Sequence, residues 1–209
     1  MVLLNYVTFV TLGGIMWYIK LLEQHPESFK YRDLKANDLL FNEEDICNEI
    51  GIVIKGQLVI STITYLEKEE TINIINENEV FGDLLLFSSN HLYLGNVTAT
   101  KKSKVALINK NKLLKYLQED INLLNMFLKS ISDKALNIKL QAKLLSHKNI
   151  EDRIMYYLNI NQKNNVVIIP SVTILSKILS LPRPSVSRSL SVLESKGFIK
   201  RNKNIIYIL

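Results

Sequence analysis

The sequence predicts an α+β chain: an antiparallel, jelly-roll-like β-roll, then one long helix, then a winged helix-turn-helix. Three observations carry this. Short alternating apolar runs between Leu39 and Ile108 are separated by turns rich in Asn, Asp and Glu, the pattern of an antiparallel sandwich or barrel rather than a parallel sheet. From Asp120 to about Ser146 no Pro or Gly interrupts a regular apolar repeat. The last 61 residues then read as helix, strand, helix, turn, helix and hairpin. These observations divide the chain into a roll with an apolar N-terminal segment over 1–109, a helix over 110–147 and a winged unit over 148–209.

The strands are read at 39–41, 50–66, 71–75, 93–100 and 105–108, where β-branched residues recur with a period of two. Lys55-Gly56 is expected to split the longest run into a hairpin. Before them lies VLLNYVTFVTLGGIMWYI, residues 2–19, which carries no charge. A signal peptide would need a basic stretch ahead of the apolar run, and none is there. At 18 residues the segment just reaches membrane-spanning length, but Asn5, Thr8, Thr11 and Gly13-Gly14 make a weak anchor. The expectation is a segment packed on the following domain, with a membrane-tethered sensor as the alternative.

The long helix is capped by Asp120. Ile121, Leu124, Leu128, Ile131, Ala135, Ile138, Ala142 and Leu145 follow at alternating spacings of 3 and 4, a heptad seam free of charge. Leu123 and Phe127 form a second stripe that can face the chain's own domain. The seam is therefore read as a homodimer interface.

In the winged unit, Ser171 follows Pro170 and can cap the middle helix, which buries Ile174, Leu175 and Ile178. About three residues (Leu179–Leu181) separate it from PRPSVSRSLSVLESKGFI, residues 182–199. There Pro184 suits the first turn of a helix and Gly197 the left-handed position past its end. Val186, Leu190 and Leu193 make the buried stripe, and Arg183, Ser185, Ser187, Arg188 and Ser191 lie off it. An arginine–serine face at the leading end of a helix is what entry into a DNA major groove requires. A surface helix with ordinary solvated arginines has the same spacing. Charge distribution separates the two. Residues 1–148 hold 17 basic and 17 acidic side chains, whereas residues 149–209 hold 9 and 3, so the whole net charge of +6 sits in the winged unit. A polyanion partner follows.

In this order, β-roll, seam helix and basic winged helix resemble the Crp/Fnr family of transcription regulators over about residues 20–209. LSKILSLPRPSVSRSLSVLESKGFI carries the most specific match, through Ser176, Arg183, Arg188, Leu190, Leu193, Glu194, Gly197 and Ile199. EEDICNEIGIVIKGQL and VFGDLLLF match the family's hairpin and turn in the roll. Pro182 stands where the family has Ser, and Ser180, Asn37, Glu44 and Asn78 stand where it favours Gly. The resemblance implies double-stranded DNA, a second copy of the chain and RNA polymerase as partners. It implies Arg183 and Arg188 reading base edges and phosphates, with Pro184, Ser185 and Ser187 on the leading end. Ser171, Lys200, Arg201 and Lys203 would hold phosphates.

The sensing pocket departs from that pattern. By resemblance it is formed by Phe81, Gly82 and Asp83 with Tyr93, Leu94 and Gly95, the last three standing where cyclic-nucleotide members place Arg, Ser/Thr and Ala. SSNHLYLGNVTA contains no Arg or Lys, and a buried phosphate without a cation is costly by several kcal/mol. The expectation is a regulator outside cAMP control, with a cyclic-nucleotide-responsive regulator as the alternative and the effector unidentified. No cofactor is expected. Cys47 is the only cysteine and cannot hold an iron–sulfur cluster, and His25, His91 and His147 lie far apart. An enzyme is not expected either: no H-x-H pair, G-x-S-x-G, P-loop or H-E-x-x-H occurs. Lone cysteine and missing signal peptide point to a reducing cytoplasm.

Overall fold

The computed structural model describes residues 17–209. The expectation for residues 2–19 therefore falls mostly outside the described residues. Its last residues are inside: Trp17 and Tyr18 are buried in helix α1, residues 17–24. Among the described residues no helix is long and apolar enough to cross a membrane. The described chain forms two compact units that divide after Ile131, inside the long helix.

The first unit is a roll of two antiparallel sheets. One has the order β1 (Lys30–Leu34), β8 (Ser103–Asn109), β3 (Glu49–Lys55) and β6 (Val80–Phe81); the other has β2 (Leu39–Phe41), β7 (Asn96–Ala99), β4 (Gln57–Ile63) and β5 (Glu69–Asn76). Apolar residues on the inner faces, among them Ile50, Ile52, Leu58, Val97, Val105 and Ile108, are almost wholly buried and form the core. The predicted hairpin at Lys55-Gly56 is not one. β3 pairs with β8 and β6, and β4 pairs with β5 and β7, so the chain changes sheets there. Gly56 makes the corner at φ +100°, and a Cβ on it would lie 2.2 Å from Ser103 Oγ. The Ser103 hydroxyl accepts from the Gln57 N–H at 3.0 Å, pinning the corner. A period-two pattern reports alternation but not which sheet each half joins.

Asn37, Glu44 and Asn78 all have positive φ, between 63° and 70°, the backbone state that makes glycine the usual occupant of such turns.

Two helices follow, α2 (Lys110–Glu119) and α3 (Ile121–Ser146). They break at Asp120, whose Oδ1 accepts from the Asn122 and Leu123 N–H groups at 2.9 and 3.1 Å, the cap that the sequence indicated. Lys20 of α1 donates to its other oxygen at 2.5 Å. That Lys20 hydrogen bond and the two amides hold the Asp120 carboxyl below the usual carboxylate range. The Trp17 ring meets Phe127 edge-on at 5.1 Å, so α1 lies against the start of α3.

The second unit comprises residues 132–209 and continues α3 through α4 (Ile150–Asn161), β9 (Val166–Ile168), α5 (Val172–Ile178), α6 (Arg183–Ser195), β10 (Ile199–Asn202) and β11 (Ile205–Ile208). The three strands pair as β10-β11-β9. Leu144, Ile154, Leu158, Leu175, Val186, Leu190, Leu193 and Ile206 form its core.

Candidate nucleic-acid interface

Helix α5 begins at Ser171, whose Oγ accepts from the Ile174 N–H at 3.1 Å. The cap uses a lone pair and leaves the O–H able to donate. In mid-helix, buried Ser176 donates its hydroxyl to Thr173 O at 2.9 Å, so its polar atom is satisfied where α5 meets α6. The helix ends in paired reverse bonds, Leu181 N–H to Ser176 O at 3.0 Å and Ser180 N–H to Lys177 O at 3.1 Å. This Schellman turn wants a left-handed residue, and Ser180 adopts φ 51° there.

Helix α6 starts from Pro182, which has no side chain to cap it. Its carbonyl accepts from Ser185 and Val186 at 3.0 and 3.1 Å, and Pro184 removes an N–H that a helix start leaves unbonded. Val186, Leu190 and Leu193 are buried. Arg183, Pro184, Ser187, Arg188 and Ser191 are exposed and Ser185 is half-buried. Arg188 Nε donates back to Pro184 O at 3.3 Å, which lays its guanidinium along the leading turn. The helix closes at Gly197, φ +77°, with Phe198 N–H bonded to Leu193 O at 3.0 Å and Gly197 N–H to Glu194 O at 3.1 Å. No heavy atom lies within 4 Å of the place a Cβ would take, so conformation, not space, calls for glycine.

The wing separates the basic residues that the sequence grouped. Lys200 and Lys203 are exposed, with Lys203 in the turn between β10 and β11. Among the described residues, neither they nor Arg183 make an ion pair. Arg201 sits in β10 and turns back onto α6. Its Nη2 lies 2.7 Å from Glu194 Oε2, its Nε donates to the same oxygen at 2.9 Å, and its backbone N–H donates to Oε1 at 2.8 Å. Nη2 also donates to Ser191 Oγ at 3.1 Å. Sequence reading missed this clamp, although an acid seven residues before an arginine across a helix end was there to be seen.

The seam residues split by exposure. Ile121, Leu128, Ala135, Ile138, Ala142 and Leu145 are exposed, while Leu124 and Ile131 are half-buried against the roll. Leu123 and Phe127, the second stripe, are buried in the roll's core.

The six predicted pocket positions differ in exposure. Phe81, Asp83, Tyr93 and Gly95 are buried, Gly82 is half-buried and Leu94 is 60% exposed. The Tyr93 ring stacks on Phe41 with centroids 4.5 Å apart, and a Cβ on Gly95 would meet Ser61 O at 2.7 Å. Cys47 is fully buried beside them, its Sγ donating to Glu49 O at 3.5 Å, and burial pushes its thiol up. A cleft lined by Gln24, His25, Tyr116, Glu119, Asp120 and Leu123 opens elsewhere, beside the start of α3. Among the described residues no cluster of His, Cys, Asp and Glu is placed to hold a metal.

A β-roll followed by a long helix and a winged helix-turn-helix is also the architecture of the proteins to which this chain is similar. Residues 31–120 match the cyclic nucleotide-binding domain family. The anaerobic regulatory protein of Bacillus subtilis (strain 168) is 25% identical over 177 residues, covering 80% of this chain and 74% of that one. Among solved structures, Thermus thermophilus catabolite activator protein superposes with a TM-score of 0.52 at 17% identity, over 91% of this chain and 90% of that one. CprK in complex with OCPA superposes with a TM-score of 0.61 at 15% identity, over 90% of each chain. The chain therefore shares the fold of Crp-type regulators, with a cyclic nucleotide-binding-like domain over residues 31–120.

The Arg201 backbone N–H and guanidinium hold the Glu194 carboxyl below its ordinary range. A group with a depressed folded value stabilises above its unfolded pKa and loses that contribution as pH falls through the folded one. In denaturant unfolding, Glu194→Gln should therefore be less stable than the wild type at pH 7, with the difference closing as pH falls through the depressed folded value. A gap that does not change with pH would mean that the ion pair contributes nothing.

Proposed function

We propose that the chain is a homodimeric, sequence-specific DNA-binding transcription regulator that inserts α6 into the major groove. One observation carries this reading: burial of Val186, Leu190 and Leu193 turns Arg183, Ser187 and Arg188 outward together at the leading end of α6. Guanine O6 and N7 are the natural partners of a bidentate arginine. Ser185 approaches from the edge of that face, with Pro184 opening the helix. Ser171, Lys200 and Lys203 supply sequence-independent phosphate contacts. Arg201, already neutralised by Glu194, contributes less charge than the lysines.

The exposed seam favours a second copy, because a stripe carrying Leu128, Ile138 and Leu145 at 51%, 59% and 45% exposure is more apolar surface than a lone helix usually leaves in water. Two reading helices related by a two-fold axis would address half-sites about 34 Å apart, so the operator is a palindrome. RNA polymerase is the expected downstream partner.

Two features weigh against a cyclic nucleotide in the roll. The stacked Tyr93–Phe41 pair fills the position next to the Phe81–Asp83 turn, and no Arg or Lys occurs from Gly82 to Thr100. We therefore read the protein as outside cAMP control.

Arg188→Ala should cost about 1–3 kcal/mol of specific DNA binding without loss of fold; an unchanged footprint would displace the reading face from α6. Ile138→Glu, at a seam position that is exposed in the single chain, should sediment as a monomer, and a persistent dimer would move the interface off α3. Calorimetry with cAMP or cGMP should show no heat of binding, whereas a dissociation constant on the order of micromolar would restore cyclic-nucleotide control.

A further inference from the structure

The first turn of α4 holds a cation that faces no carboxylate among the described residues. Arg153 is half-buried, and among the described residues its guanidinium donates to backbone carbonyls alone. Nε and Nη2 reach His147 O at 3.1 and 2.7 Å, Nη2 also reaches Leu145 O at 3.1 Å, and Nη1 reaches Leu179 O at 3.3 Å. These acceptors come from three places in the winged unit. Leu145 is in the last turn of α3, where helix carbonyls lack partners and a cation is favoured by the helix dipole. His147 lies in the link between α3 and α4. Leu179 is the C-cap of α5, one residue before Ser180, where the helix-turn-helix reverses.

That turn leads through Leu181 and Pro182 directly into α6, so whatever holds Leu179 holds the start of the reading helix. A planar fork with five donors can join three carbonyls at once; an ammonium, with one nitrogen, cannot span them. On the same turn of α4, Glu151 pairs with Lys196 at 2.8 Å, just past the other end of α6. Helix α4 thus brackets α6 at both ends, with Arg153 on the leading side.

We propose that Arg153 is a positioning residue for DNA reading, locking the turn before α6 to the end of the seam helix. The proposal rests on the assignment of α6 as the reading helix. Arg153 touches no base in this scheme and acts through the backbone of Leu179.

The test uses the full-length protein, a duplex recovered by binding selection from a random-sequence pool, and a random-sequence duplex of equal length. Arg153→Gln should weaken binding to the selected duplex about tenfold while leaving random-sequence affinity and the salt dependence unchanged. Arg153→Lys should recover only part of the loss. A salt slope lower by about one would make Arg153 a phosphate contact and overturn the proposal. So would equal losses on both duplexes that track a lower melting temperature, and so would wild-type binding by Arg153→Gln. Should Arg153→Gln fail to fold, Arg153→Lys is followed by amide hydrogen exchange. Faster exchange confined to Leu179–Leu181 supports positioning, and unchanged protection there refutes it. The exchange result does not depend on DNA, so a wild-type chain that selects no duplex would refute the reading of α6 and leave the role of Arg153 to be decided separately.

Discussion

The winged unit depends on one packing constraint, the burial of Val186, Leu190 and Leu193 against α4 and α5. Each such side chain gains about 1.5–3 kcal/mol on leaving water, so together they outweigh any single hydrogen bond in the unit. Because they lie on one stripe of α6, their burial fixes the rotation of the helix about its axis. The direction in which Arg183, Ser187 and Arg188 point is then a consequence of apolar packing, not of contacts made by the arginines themselves. The turns at Ser180 and Gly197 bound the helix at either end, and Arg153 and Glu151 set where those ends lie relative to α4.

The long helix does two jobs with two stripes. Near its start Leu123 and Phe127 go into the roll's core, with Trp17 against Phe127. The seam runs beside them and remains largely uncovered. Asp120 links these arrangements, since one carboxylate both starts α3 and receives Lys20 from α1.

Three turns of the roll take a left-handed backbone without glycine. Asn37, Glu44 and Asn78 occupy left-handed positions at φ 63° to 70°. Asn tolerates this state better than most residues, and Glu44 does not, at about 1–2 kcal/mol. Inside the roll, Tyr93 and Phe41 stack with their centroids 4.5 Å apart. The leading end of α6 is basic and exposed, whereas Phe81, Asp83 and Tyr93 are buried in the roll.

Much of this was legible in the residues. Alternation located most strands of the roll but neither β1 nor β6, the Asp120 cap and the absence of Pro and Gly delimited α3, and proline and glycine bracketed α6. Local propensity and periodicity set these features within a few residues of sequence, and short-range physics needs no fold to express them. The changes of partner needed the tertiary structure. Gly56 turns the corner between sheets instead of closing a hairpin, because strand alternation says nothing about which neighbour a strand will pair with. Arg201 is drawn onto Glu194 instead of lying at an open wing tip, and Arg153, an unremarked residue in a helix, gathers carbonyls from 145 to 179. Such contacts join residues brought close only when the core closes. The sequence by itself determined the elements and the arginine-bearing face, whereas the assignment of each charge to solvent or to a partner was decided by packing.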